Sequence, residues 1–86
     1  MRTSFLPLSK VRTANVKGRV VSIIAQTRSR PHLQVRFWGR DSSGEVFVLE
    51  ETRKGLVDVT ESEIGLPQYS GIVPMVQQLR VNTKTA

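Results

Sequence analysis

Two cations and an aromatic ring alternate over a short stretch of the chain: Arg36, Trp38 and Arg40. In an extended strand, residues two apart point to the same face. If Phe47 on a returning strand lies opposite Trp38, that face carries two rings and two guanidinium groups. Single-stranded nucleic acid is bound by such surfaces, because bases stack on rings and phosphates attract cations. The spacing therefore predicts a nucleic-acid-binding face; the alternative is that another element covers the rings and the arginines extend over them.

These residues belong to a predicted β-hairpin spanning 33–49. Polar and apolar residues alternate before the turn, and β-branched and aromatic residues follow it. The turn Asp41-Ser42-Ser43-Gly44 suits a hairpin, because Asp and Ser bond nearby backbone and Gly tolerates positive φ. A four-residue loop places Arg40 opposite Glu45, Trp38 opposite Phe47 and Arg36 opposite Leu49. The other face is then predicted to be core and consists of Val35, Phe37, Val46 and Val48.

Charge is unevenly distributed along the 86 residues, which carry a formal net charge of +6. Residues 1–40 contain nine basic residues and no acid, whereas all seven acids lie between Asp41 and Glu63. Such segregation predicts a basic face that attracts polyanions. The alternatives are a solubilising excess of charge or a basic protein held within a larger ribonucleoprotein. Four basic residues outside the hairpin join the predicted nucleic-acid site: Lys17, Arg19, Arg28 and Arg30.

The residue types argue against catalysis and against a metal or cofactor site. The chain has no cysteine, and its one histidine, His32, has no partner ligand. No phosphate-binding glycine loop or nucleophile–base pair is recognisable. Asp58, Glu61 and Glu63 are interpreted as a solvated loop. Because no apolar run approaches the ~18 residues of a membrane span, we expect a soluble cytoplasmic protein.

Five strands are predicted to position the site: 15–26, 32–40, 45–51, 56–60 and 73–82, with a sixth conceivable in 3–12. Gly18 is expected to bend the first of them. Residues 64–71 contain Gly65, Pro67 and Gly71 and are predicted to connect strands without a helix; Tyr69 could stack on a base or fill the core. The strands predict an all-β fold, a small five-stranded OB-like Greek-key barrel, or alternatively an SH3-like barrel.

The domain limits follow from this assignment. Residues 1–14 are predicted to be a basic N-terminal arm or edge strand, 15–82 a single barrel and 83–86 a flexible tail. The apolar patch Phe5, Leu6 and Leu8 predicts a homodimer or a protein partner through 1–14, by addition of a strand.

The segments VKGRVVSI and LQVRFWGRDSSGEVFVL resemble the first three strands of OB-fold single-stranded-DNA-binding proteins over residues 15–50. In size, charge and lack of predicted helix the chain is also similar to the small gene V-type proteins of filamentous phages. The resemblance implies a binding face on strands two and three: Arg36, Trp38, Arg40 and Phe47, flanked by Arg28 and Arg30. The hairpin also resembles the opening strands of the N-terminal domain of archaeal family B DNA polymerases, although EETRKGL replaces the aromatic segment that follows there.

The leading hypothesis is a non-catalytic protein that binds single-stranded nucleic acid, with DNA favoured over RNA. Its process would be replication or related DNA metabolism. A structural RNA-binding or ribosomal-type protein is the second hypothesis. A small accessory subunit of a replication enzyme, with Trp38 and Phe47 as its contact residues, is the third. A duplex surface requires cations more than rings, so the exposure of Trp38 distinguishes the first hypothesis from the second.

Overall fold

The computed structural model describes residues 2–80, most of which form one antiparallel sheet. Its strands are β1 (Arg2–Val16), β2 (Arg19–Arg30), β3 (Gln34–Arg40), β4 (Val46–Thr52) and β5 (Gly55–Asp58). Each strand pairs with the next along the chain, so the sheet order is β1-β2-β3-β4-β5. The prediction that the fold is built mainly of β-strands is confirmed. In residues 2–80 no helix has the length and apolar character needed to cross a membrane.

The N-terminal segment is the outermost strand of the sheet, which corresponds to the edge strand, and not the arm, of the two alternatives predicted for residues 1–14. β1 and β2 are joined by a tight turn in which Lys17 has φ 52° and Gly18 has φ 78°. Positive φ at both central residues is the geometry that matches the twist of a hairpin. The predicted bent strand over 15–26 is therefore wrong, and the predicted domain boundary at residue 15 falls inside β1. The predicted tail, 83–86, lies outside the described residues.

The sheet is open, so the predicted closed barrel is not formed by residues 2–80. β1 and β5 occupy opposite edges and do not pair with each other. A Greek key needs a long connection that returns a later strand to an earlier one. Here four short connections keep sequential strands adjacent, and the chain beyond β5 enters helices.

Three short helical elements follow β5, where no helix was predicted. They are α1 (Thr60–Glu63), a 3₁₀ helix (Pro67–Tyr69) and α2 (Ile72–Gln78). The strand predicted over 73–82 is thus wrong for its described part. Ile72 and Val76 are four residues apart and both are buried, which is the spacing of a helix face. Pro74 is tolerated because it lies in the first turn of α2, where no intrahelical donor is lost.

The sheet buries apolar residues on both faces. One face, called here the helix face, packs against the C-terminal helical elements and contributes Ile24, Ala25, Trp38, Val46 and Val48 to a cluster with Tyr69, Ile72 and Val76. The opposite face, called the strand face, has its own cluster: Val16, Val21, Ile23, Phe37, Phe47 and Leu49. Consequently β3 and β4 each contain a run of consecutive buried residues, unlike a strand with one solvated face.

Candidate nucleic-acid interface

The β3–β4 hairpin exists, but its register differs by one residue from the prediction. Trp38 pairs with Val48, and Phe47 pairs with Gly39. The Asp41 carboxylate holds a five-residue loop: its Oδ1 accepts hydrogen bonds from the Glu45 and Ser43 backbone N–H groups at 3.0 and 2.9 Å. Because side chains alternate, the shift sends Phe47 to the strand face while Trp38 stays on the helix face.

Trp38 is fully buried, so the predicted exposure of its ring is wrong. The indole Nε1 donates a hydrogen bond to Thr27 Oγ1 at 2.9 Å. The ring of Tyr69 packs edge-on against the indole with centroids 5.0 Å apart. Tyr69 is therefore a core residue, and the C-terminal helical elements cover the ring that was expected to stack on bases. Phe47, 4% exposed, is equally inaccessible.

The arginines beside Trp38 hold the C-terminal elements in place. Arg36 Nε donates to Glu63 Oε1 at 2.7 Å, and this hydrogen bond raises the pKa of Arg36 against the opposing effect of burial. Arg40 donates to the carbonyl oxygens of Gln77 at 2.6 Å and Leu79 at 2.7 Å. Carbonyls at the end of a helix lack intrahelical partners and favour a cation. Glu63 is thus a partner of Arg36 and not part of a solvated loop.

Lys17 and Arg19, also predicted to bind nucleic acid, face carboxylates. Lys17 Nζ lies 3.4 Å from Asp58 Oδ2, and Arg19 Nη1 lies 2.7 Å from Glu45 Oε1 and 3.1 Å from Asp41 Oδ2. Hydrogen bonding by Ser43 is the main cause that lowers the pKa of Asp41, and Arg19 adds to it. Burial of Asp58 opposes ionisation, but hydrogen bonds from Thr60 and the charge of Lys17 outweigh it, so the pKa of Asp58 is lowered. This end of the sheet carries both signs of charge.

Three basic residues thus contact six of the seven Asp and Glu carboxylates. Lys17, Arg19 and Arg36 lie within 4.0 Å of six carboxylates, those of Asp41, Glu45, Glu50, Asp58, Glu61 and Glu63. The remaining basic residues of β1 and β2 make no such pair with any described carboxylate: Arg2, Lys10, Arg12, Arg28 and Arg30. Their charge is available to an external anion.

Four of these unpaired cations share the strand face and form what we call the arginine patch: Arg2, Arg12, Arg28 and Arg30. Arg2 is directly opposite Arg30 in the β1–β2 ladder, and Arg12 is opposite Ile23 of the strand-face cluster. Arg28 is opposite Val35, which packs on the same cluster. The guanidinium carbon of Arg12 lies 5.7 Å from the centroid of the Phe37 ring, on the same face. All four arginines are exposed.

The pairing of Arg2 with Arg30 brings like charges together. Directly opposed residues in an antiparallel ladder have Cα atoms about 4.5–5.5 Å apart, and like charges there are destabilising. Arg28 and Arg30, two residues apart, are separated by about 7 Å along the strand. A bound anion would relieve this repulsion, since guanidinium groups form charge-assisted and often bidentate hydrogen bonds to phosphate.

The sequence identified half of this patch. Arg28 and Arg30 were predicted as flanks of the site, whereas Arg2 and Arg12 were not predicted. The acid-free block over 1–40 was the signal for all four. Placing Arg2 beside Arg30 also required recognising the turn at Lys17 and Gly18, because that turn sets the register of β1 against β2.

Few aromatic side chains are exposed on the surface. All five aromatic side chains lie in the described part of the chain, and four are buried: Phe37, Trp38, Phe47 and Tyr69. The fifth, Phe5, is partly buried against the helix-face cluster. His32 is exposed in the connection between β2 and β3. Within residues 2–80, no group of three His, Cys, Asp or Glu side chains could hold a metal ion.

Comparison with known proteins gives no relatives: no protein-family model matches the chain, and neither the curated proteins nor the solved structures contain a significant match.

Proposed function

We propose that the protein is a non-catalytic nucleic-acid-binding protein that contacts the phosphate backbone through the arginine patch. One observation carries the proposal: four exposed guanidinium groups share one sheet face, and no described carboxylate lies within ion-pairing distance of them, although acids pair with Lys17, Arg19 and Arg36. Neutralising phosphates releases counterions, which supplies essentially all of the affinity of sequence-independent binding. Arginine suits this role because its planar fork matches phosphate oxygens.

Stacking by the hairpin has no part in this proposal. Trp38 and Phe47 cannot meet a base while they lie in the two cores, and Arg36 and Arg40 are engaged with the C-terminal elements. Backbone binding needs neither ring. Roles in replication or in ribosome structure are part of the proposal, and the basic half of the chain supports them. A likeness to OB-fold, SH3-like or gene V-type proteins is proposed for the β3–β4 hairpin alone, because residues 2–80 form an open sheet.

Two charge-matched double variants test the proposal. Arg28→Gln with Arg30→Gln removes two charges inside the patch, whereas Arg53→Gln with Lys54→Gln removes two from the exposed β4–β5 turn. We expect the first variant to bind nucleic acid more weakly and to flatten the slope of log K against log salt by about 1.4 to 1.8, which is 0.7 to 0.9 per contact. The second should retain a slope close to that of the wild type.

The measurement is fluorescence anisotropy with a labelled oligonucleotide over a salt series. Thermal unfolding should show neither variant to be less stable than the wild type, since the replaced side chains are exposed and the loss of the Arg30 charge relieves its repulsion with Arg2. Equal slopes for the two variants would mean that net charge, and not the patch, drives binding, and the proposal would fail.

A further inference from the structure

We infer that the arginine patch binds double-helical nucleic acid in preference to a single strand. The inference rests on the proposed function and adds the class of ligand. It follows from two properties of the surface: the absence of an aromatic platform, and the length of the row of arginines that two paired strands carry.

The first property concerns stacking. Proteins that bind single strands combine a basic groove with rings on which successive bases stack. Here every Phe, Trp and Tyr side chain lies in or against one of the two apolar clusters. A single strand would thus meet cations alone. Its charge density is lower than that of a duplex, which carries one charge per about 1.7 Å of axis, against about 3.4 Å for each strand. Without stacking, the denser polyanion is bound more tightly.

The second property concerns shape. Arg12 is opposite Ile23, and Arg30 lies seven positions further along β2. At about 3.3 Å per residue, the patch extends for roughly 20 Å along two hydrogen-bonded strands. The grooves of a B-form duplex are about 6 and 12 Å wide, so a row of this length reaches phosphates on both sides of a groove. Paired strands also hold the Cα atoms of the arginines at fixed spacing, which suits a regular helix better than a flexible strand.

The imidazole of His32 is the one exposed aromatic ring next to the patch in sequence, and removing it tests whether stacking contributes to binding. It lies two residues after Arg30, in the connection between β2 and β3. Histidine can stack on an unpaired base. If single strands were the preferred ligand, this imidazole would be the residue to support them, and its removal would weaken single-strand binding selectively.

The test compares one sequence as duplex DNA, as duplex RNA and as a single strand without self-complementarity, with wild type and His32→Ala. Between about 50 and 200 mM salt, four contacts predict slopes near −3.6 for B-form DNA and −2.8 for the single strand. We expect at least one of the two duplexes to bind at least about tenfold more tightly than the single strand at the lowest salt, and His32→Ala to change none of the three affinities. The DNA and RNA arms identify which helix form fits; a preference for either supports the inference.

Equal or tighter binding of the single strand would overturn the inference, as would a selective loss of single-strand binding in His32→Ala. Either result leaves the proposed function intact, provided that Arg28→Gln with Arg30→Gln still flattens the salt slope. If no nucleic acid binds with a salt-dependent affinity, the proposed function fails as well.

Discussion

Replacing Gly39 with alanine is expected to destabilise the protein severely. A Cβ at this position would lie 2.5 Å from the Ser22 carbonyl oxygen and 2.7 Å from Val21 Cγ1. The carbonyl belongs to β2, whose register against β3 shifts between Ile23 and Ala25, so backbone would have to move. Overpacking costs about 1–3 kcal/mol in ordinary cores and occasionally more. Because backbone is displaced here, we expect about 3 kcal/mol or more.

Gly65→Ala is the matched control, because nothing lies within 4 Å of a Cβ at that position. Its effect should stay within about 0.5 kcal/mol. Equilibrium unfolding in urea measures both variants. A chain of this length is stable by only about 4–13 kcal/mol, so Gly39→Ala should lose a large fraction of it. A Gly39→Ala protein as stable as Gly65→Ala would contradict the β2–β3 packing described above.

Trp38→Ala is expected to have an equally large effect, about 3–5 kcal/mol, the cost of removing a buried tryptophan. The indole is fully buried between the sheet and the C-terminal elements, so its loss leaves a cavity beside Tyr69 and Val76. The hydroxyl of Thr27 would also lose its donor. The same urea measurement gives the value.

Thr27→Val separates the hydrogen bond from the packing. It nearly preserves volume but removes the acceptor of the Trp38 N–H, which should cost about 1–3 kcal/mol because that donor is buried.

A Trp38→Ala protein as stable as the wild type would contradict the burial of the indole. The ring would then lie at the surface, and the hairpin could stack on bases.

The β3–β4 hairpin shows which features the residue pattern can predict and which it cannot. Its strands and turn residues were predicted, since β-branched runs and the Asp41–Gly44 turn have local causes. Its register was not, because β3 and β4 are buried on both faces and give no alternation that reveals a slip of one residue. The hydrogen bond that the Glu45 backbone N–H donates to Asp41 Oδ1, four positions earlier, sets the longer loop.

The C-terminal elements were missed for a related reason. Residues 73–82 contain apolar residues at both strand and helix spacing, and Gly65, Pro67 and Gly71 argue against a long helix. What selects the helix is packing of Ile72 and Val76 against Trp38 and its neighbours. Tertiary contacts of this kind override local preference.

The sequence correctly indicated that the candidate site is basic, but the prediction that Trp38 and Phe47 are exposed in it was wrong. Segregation of acids from bases is visible in the sequence, so a basic surface could be expected. Which cations remain available depends on where the acidic segment folds back, and that segment takes up Lys17, Arg19 and Arg36. The strand pairing then brings together cations that are distant in sequence, such as Arg2 and Arg30.

One measurement tests most directly whether the arginine patch, and not the hairpin, contacts nucleic acid: a two-dimensional NMR titration of the ¹⁵N-labelled protein with a short duplex. We expect the largest shifts for the Nε–H groups of Arg2, Arg12, Arg28 and Arg30 and for amides nearby. The single indole N–H of Trp38 should stay in place, because it is buried and bonded to Thr27. A titration that moves the indole and the Arg36 and Arg40 resonances most, and leaves the patch unchanged, would contradict it.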